Sequence, residues 1–157
     1  MKSINTLFSI LKINSLKQNL TCYLPKNNKN TNILEIFYNE GLIKKYIYDK
    51  KKKKYLVFLK YKYNLAFINN IINISKPSNY IYFSYKKIIK LLKHKNYDYL
   101  LINTSENGYK LIENYNLNNF GGEVIAAIKL NSSIYKIKRK HVNVKPVLYK
   151  HLVVQSK

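Results

Sequence analysis

Lysine and arginine outnumber aspartate and glutamate by 29 to 7 in this chain of 157 residues, leaving a formal net charge of +22. Any compact fold of such a chain brings like charges together, and the repulsion is relieved where a polyanion supplies the countercharge. The imbalance therefore constrains the partner before it constrains the fold. Nucleic acid is the first candidate and an anionic membrane surface the second. Only one of the cations is arginine, Arg139, while Lys, Asn, Ile and Tyr crowd the chain. Those residues share A/T-rich codons, a bias expected of an organellar or similarly A/T-rich genome. That bias does not account for the scarcity of acids.

Hydrophobic residues make up 46% of the chain, enough to bury a core, and the length suits one domain or two small ones. Two are expected. The single cysteine, Cys22, excludes an intramolecular disulfide and a multi-cysteine zinc site, so packing alone must hold the fold. Within the apolar run LTCYLP it reads as a buried small side chain. No run reaches the roughly 18 apolar residues of a membrane span. The first residues lack a secretory apolar region and the Arg-rich, Ser-rich character of an import peptide, so if the protein works in an organelle, synthesis inside that organelle is expected.

Ile4, Leu7, Phe8 and Leu11 recur at helical spacing, predicting a first helix over 3–18 with a short strand after it. Thr31 is expected to cap a second helix carrying Ile33, Leu34, Ile36 and Phe37 and stopped by Gly41. Strands are expected over 42–48 and in YLVFLKY, joined by a hairpin tip at the lysine block Lys50 to Lys54. That tip reads equally as a solvated turn or as a reach toward phosphate. These elements compose an α-β-α-β-β module over 1–73. The second half, 74–130, is punctuated by Pro77, Asn107-Gly108 and Gly121-Gly122, and reads as mostly β with short helices. Strands are expected at 79–83, 97–103 and 122–130, a helix over 85–92 capped by Ser84, and a second helical stretch between Tyr109 and Leu117. The fold class is accordingly α+β with two small domains. From residue 131 to 157 the chain holds seven basic residues and no acid, a basic extension expected to order on a partner.

Catalysis needs groups that share protons, attack or hold metal. His94, His141 and His151 stand far apart, the seven carboxylates are scattered, and no Gly-rich phosphate loop is present. No catalytic residue, metal, cofactor or small-molecule substrate is expected. RNA contact needs cations for phosphate, hydroxyls and amides for base edges, and rings for stacking on unpaired bases. Tyr80, Tyr82 and Tyr85 interleave with Lys76, Lys86 and Lys87, although a tyrosine-rich chain also packs such rings in its core. The polar bend Asn103-Thr104-Ser105-Glu106-Asn107-Gly108 follows an apolar strand and offers short side chains and backbone amides at close range.

Three of these segments carry a resemblance. SKPSNYIYFSYKKI (75–88), Asn103-Thr104-Ser105 before Gly108, and GGEVIAAI (121–128) resemble, in order and spacing, the C-terminal landmarks of the small-subunit ribosomal protein S8 family. Glu40-Gly41 after the second helix fits as well. The resemblance covers roughly residues 1–130, and the extension lies beyond the usual family end. It implies binding to the central domain of small-subunit rRNA, with RNA contacts at Lys76, Tyr82, Thr104, Ser105, Gly121, Gly122 and Glu123. The expected role is a structural component of an organellar small ribosomal subunit, mitochondrial before plastid, with rRNA and neighbouring small-subunit proteins as partners and no membrane. A basic peripheral membrane protein is the alternative; its mark would be a long helix with lysines on one face and large apolar residues on the other.

Overall fold

The computed structural model describes residues 2–105, 108–113 and 121–131. Helix α1 (Lys2–Leu16) buries Ile4, Leu7, Phe8 and Leu11 on one face, as their spacing predicts. Strand β1 (Thr21–Pro25) follows, then helix α2 (Asn28–Asn39). The cap of α2 is Asn27, not Thr31: the extended Asn27 accepts a hydrogen bond from the Asn30 backbone N–H at 2.7 Å through its side-chain oxygen. Thr31 instead lies inside the first turn, where its hydroxyl bonds the Asn27 carbonyl and meets the Tyr55 hydroxyl at 2.8 Å. Gly41 ends the helix as expected, at φ +71°. Its N–H donates to the Tyr38 carbonyl and that of Leu42 to the Phe37 carbonyl, the paired bonds of a Schellman stop.

Strands β2 (Lys45–Asp49) and β3 (Lys54–Phe58) form the expected hairpin, and β1 joins the free edge of β3 to give the sheet order β1-β3-β2. Asp49 shapes the lysine tip by accepting the backbone N–H groups of Lys51 and Lys52. A two-residue turn at Tyr63 and Asn64, both at positive φ, joins the short strands β4 (Tyr61–Lys62) and β5 (Leu65–Ala66).

The second sheet contains β6 (Ile68–Asn73), β7 (Tyr82–Phe83), β8 (Tyr99–Thr104), β9 (Gly108–Glu113) and β10 (Gly122–Leu130). Its order is β6-β10-β8-β9, with β7 paired to the start of β10. The residues from Tyr109 are therefore strand, not helix, as far as Glu113; 114–117 of the expected helical stretch lie outside the described residues. GYKLIE returns antiparallel along β8, from Thr104 opposite Gly108 to Tyr99 opposite Glu113. Its few apolar positions fit either period, and the Asn-Gly pair ahead of them decides for a hairpin. Of the strand expected over 79–83 only Tyr82–Phe83 forms, preceded by a bridge between Lys76 and Asn79. Helix α3 (Tyr85–Lys95) begins after Ser84, whose side chain makes no capping bond, and stops at Asn96 in the left-handed conformation.

This sheet is covered on both faces. Leu100, Ile102, Ile112, Val124 and Ala127 pack under Ile88 and Leu92 of α3. Tyr99, Leu101, Ile125, Ala126, Ile128 and Leu130 join the larger core built by α1, α2, β1 and β3. Consecutive Ile125 and Ala126 enter the same core because a bulge interrupts the β8–β10 register there. Helix α1 packs against β1 of one sheet and β6 of the other. Among the described residues no helix is long and apolar enough to cross a membrane. Of the basic extension over 131–157, residues 132–157 lie outside the described residues.

Candidate nucleic-acid interface

The head of β10 gathers the three segments singled out from sequence. Gly122 sits so close to the neighbouring strand that a Cβ there would lie 2.6 Å from the Asn103 carbonyl oxygen and 3.5 Å from the Thr104 Cα. Only a residue without a side chain permits this approach without moving backbone. Gly121 is nearly as tight against the β7–α3 junction, with 3.0 Å between the position of a Cβ and the Phe83 carbonyl. Glu123 then lies between Tyr82 on one side and Asn103 on the other.

A serine fixes the third segment. Ser75 is fully buried; its hydroxyl donates to the Val124 carbonyl at 2.6 Å and accepts the Ile81 N–H at 3.0 Å. The Val124 N–H in turn donates to the Ile81 carbonyl. The 75–81 loop is thus bound to the same strand head, and Lys76 stands exposed on it, its backbone closed against Asn79 across Pro77 and Ser78.

Exposure divides the expected contact residues. Tyr82 is 70% exposed and Tyr80 51%, so neither ring serves the core. Ser105 is exposed in the β8–β9 turn, whereas Thr104 is buried and donates its hydroxyl to the Gly108 carbonyl at 3.2 Å, closing the turn from within. Glu123 is buried, and its Oε1 has no hydrogen-bond partner among the described residues. Burial, and after it the Glu123 carboxylate, pushes the Tyr109 phenol above its ordinary value. Structure therefore brings together Tyr82, Thr104, Ser105, Gly121, Gly122 and Glu123, with Lys76 on the adjoining loop.

The family model for ribosomal protein S8 matches residues 3–128. This chain belongs to that family. A relative, the small ribosomal subunit protein uS8m of Acanthamoeba castellanii, is 30% identical over 131 residues, which is 83% of this chain and 100% of the relative. As a ribosomal protein of the S8 family the chain is structural and not catalytic. Among its described residues no three His, Cys, Asp or Glu side chains gather where they would hold a metal.

Two residues of this S8 strand head carry in themselves no local signal of their place in it. Ser75 was visible only as the first letter of a motif, because nothing local distinguishes a buried serine from a turn serine. Tyr109 stands at the start of the expected helical stretch, and a helix there would keep it from the edge where the hairpin places it. The Asn-Gly turn before it was the available signal.

Proposed function

We propose that the protein is a structural constituent of a mitochondrial small ribosomal subunit that grips the central domain of its rRNA with the head of β10. Membership of the S8 family and likeness to a relative named uS8m support the setting. The observation that carries the RNA reading is the packing of Gly122 against Asn103, so close that a Cβ would lie 2.6 Å from the carbonyl oxygen, which joins the Gly-Gly-Glu and Thr-Ser segments while the β7–β10 pairing adds Tyr82 at the same strand head. Tyr82 offers a ring to an unpaired base, and Ser105 offers a hydroxyl to a base edge or ribose. The two glycines let a backbone come close. The Glu123 carboxylate lies behind these groups, its Oε1 buried and without a hydrogen-bond partner among the described residues, and its charge disfavours phosphate there. Thr104 holds the turn in shape, and Lys76 adds a phosphate contact.

The test is binding of the full chain to a central-domain fragment and to an unrelated RNA of equal length across salt concentrations. Affinity is expected to fall by about 10³ between 50 and 200 mM salt if about six phosphates are neutralised. Replacing Thr104 and Ser105 together by Ala is expected to cost roughly 1–3 kcal/mol of the preference for the cognate fragment. A flat salt response, or equal affinity for both RNAs, refutes the reading.

A further inference from the structure

Helix α3 has a face that the recognition edge does not use. Its sequence, YKKIIKLLKHK, contains no carboxylate. At 100° per residue Lys86, Lys90 and Lys93 fall within one narrow arc, flanked by Lys87 and His94 and turned away from the buried pair Ile88 and Leu92. Lys86, Lys87, Lys90, Lys93 and His94 are all exposed. Lys87 leans back, its Nζ 5.9 Å from the centre of the Phe83 ring, which leaves the other three lysines as a stripe rising about 10 Å along the axis. None of the three pairs with a carboxylate among the described residues.

That arc holds no apolar side chain. A protein interface needs an apolar centre and is depleted of lysine, so this surface has nothing to offer a folded partner. The apolar side of the helix is already buried in the second core, so it has none to insert into a bilayer either. What remains is a row of point charges at successive turns, and the matching ligand is a row of phosphates. The stripe also starts where recognition ends: the first turn of α3 abuts Gly121, whose Cβ position lies 3.6 Å from the Tyr85 nitrogen.

We propose that the exposed face of α3 is a phosphate track, formed by Lys86, Lys90 and Lys93, that binds the RNA backbone next to the segment gripped by the head of β10. It rests on the RNA reading given above and adds a division of labour. The strand head supplies preference among RNAs, while α3 supplies affinity that any RNA backbone satisfies.

The experiment compares the full chain with the triple variant Lys86→Gln, Lys90→Gln, Lys93→Gln, and with an equal loss of charge at the hairpin tip, Lys50→Gln, Lys51→Gln, Lys52→Gln. Glutamine preserves helix propensity, and circular dichroism checks the fold. Each protein is titrated with the central-domain fragment and with the unrelated RNA at several salt concentrations. The α3 variant is expected to lower the slope of log affinity against log salt by about 2 to 3 for both RNAs. Its ratio of affinities for the two RNAs is expected to stay unchanged. An unchanged slope overturns the proposal, as does an equal loss from the hairpin variant, which would reduce the effect to net charge. A drop in binding to vesicles of anionic phospholipid without a drop in RNA slope also overturns it, assigning the face to a membrane. Should the unmodified chain show no preference between the RNAs while the α3 variant still lowers the slope, the recognition reading fails and the track stands.

Discussion

At Gly122 the distance itself sets the expected effect of substitution. A Cβ at 2.6 Å from a carbonyl oxygen cannot be absorbed by a rotamer change, because the obstructing atom is backbone of β8. Gly122→Ala is expected to cost about 1–3 kcal/mol in a denaturant melt, as overpacking does, and to open the turn that carries Ser105. Gly121→Ala, with its nearest atom at 3.0 Å, is expected to cost less. Equal melts for Gly122→Ala and the unmodified chain would show that the two strands part without penalty. Cys22 reports on the larger core. It is buried, and desolvation pushes its thiol up to about 11 from an ordinary value of 9.0. A raised pKa means that the folded chain holds the proton more tightly than the unfolded chain. The stabilisation is whole below about pH 9 and is lost as pH rises through about 11. Cys22→Ala is expected to flatten that part of the stability curve, by about 3 kcal/mol at most. A thiol reagent should leave native Cys22 unmodified at pH 8 and label it after unfolding.

The α3 stripe, argued above as a binding surface, must cost the free helix something. Lys86 with Lys90, Lys87 with Lys90, and Lys90 with Lys93 are spaced three or four residues apart, where like charges destabilise a helix by roughly 0.2–0.5 kcal/mol per pair. Lys86 and Lys87 also occupy the positive end of the helix dipole. The triple glutamine variant is therefore expected to melt about 2–4 °C higher than the unmodified chain at low salt without RNA, the gain shrinking as salt rises. A lower melting point would mean that the lysine stems support the fold. Elements with strong local signals were legible in sequence: α1 by its apolar spacing, the end of α2 by Gly41, and β10 over its full length. Strand β6 was not, since INNIIN shows no alternation and its burial comes from α1 on one side and β10 on the other. The site was half legible. Its residue types stood in the motifs, but their meeting at one strand head depends on a register between Glu123, Tyr82 and Asn103 that no local pattern encodes.

Across the whole molecule, strand pairing and charge bear on two divisions of the chain, and each has a test. The first is the boundary between units at residues 73 and 74. Strand β6 lies before it, yet pairs with β10 from Asn73 opposite Ala126 to Ile68 opposite Leu130. A fragment of residues 74–131 is therefore expected to protect β10 less than one of residues 67–131, because cutting at 73 leaves one edge of β10 unpaired. Equal exchange protection of the β10 amides in the two fragments would place the boundary at 73 as first expected. The second is the extension, whose seven cations have no acid among them to form a self-contained surface. We propose that it runs along rRNA or a neighbouring small-subunit protein, where the partner offsets its repulsion and the cost of ordering it. Both described cores and the bond from the Asn131 N–H to the Phe67 carbonyl lie in the chain before it. A chain ending at Asn131 is accordingly expected to keep its melting point within a few degrees while entering small subunits less efficiently in a sedimentation assay. If it unfolds instead, the extension is part of the fold, and six of its apolar residues, Val142, Val144, Val147, Leu148, Leu152 and Val153, are the ones to test as added core.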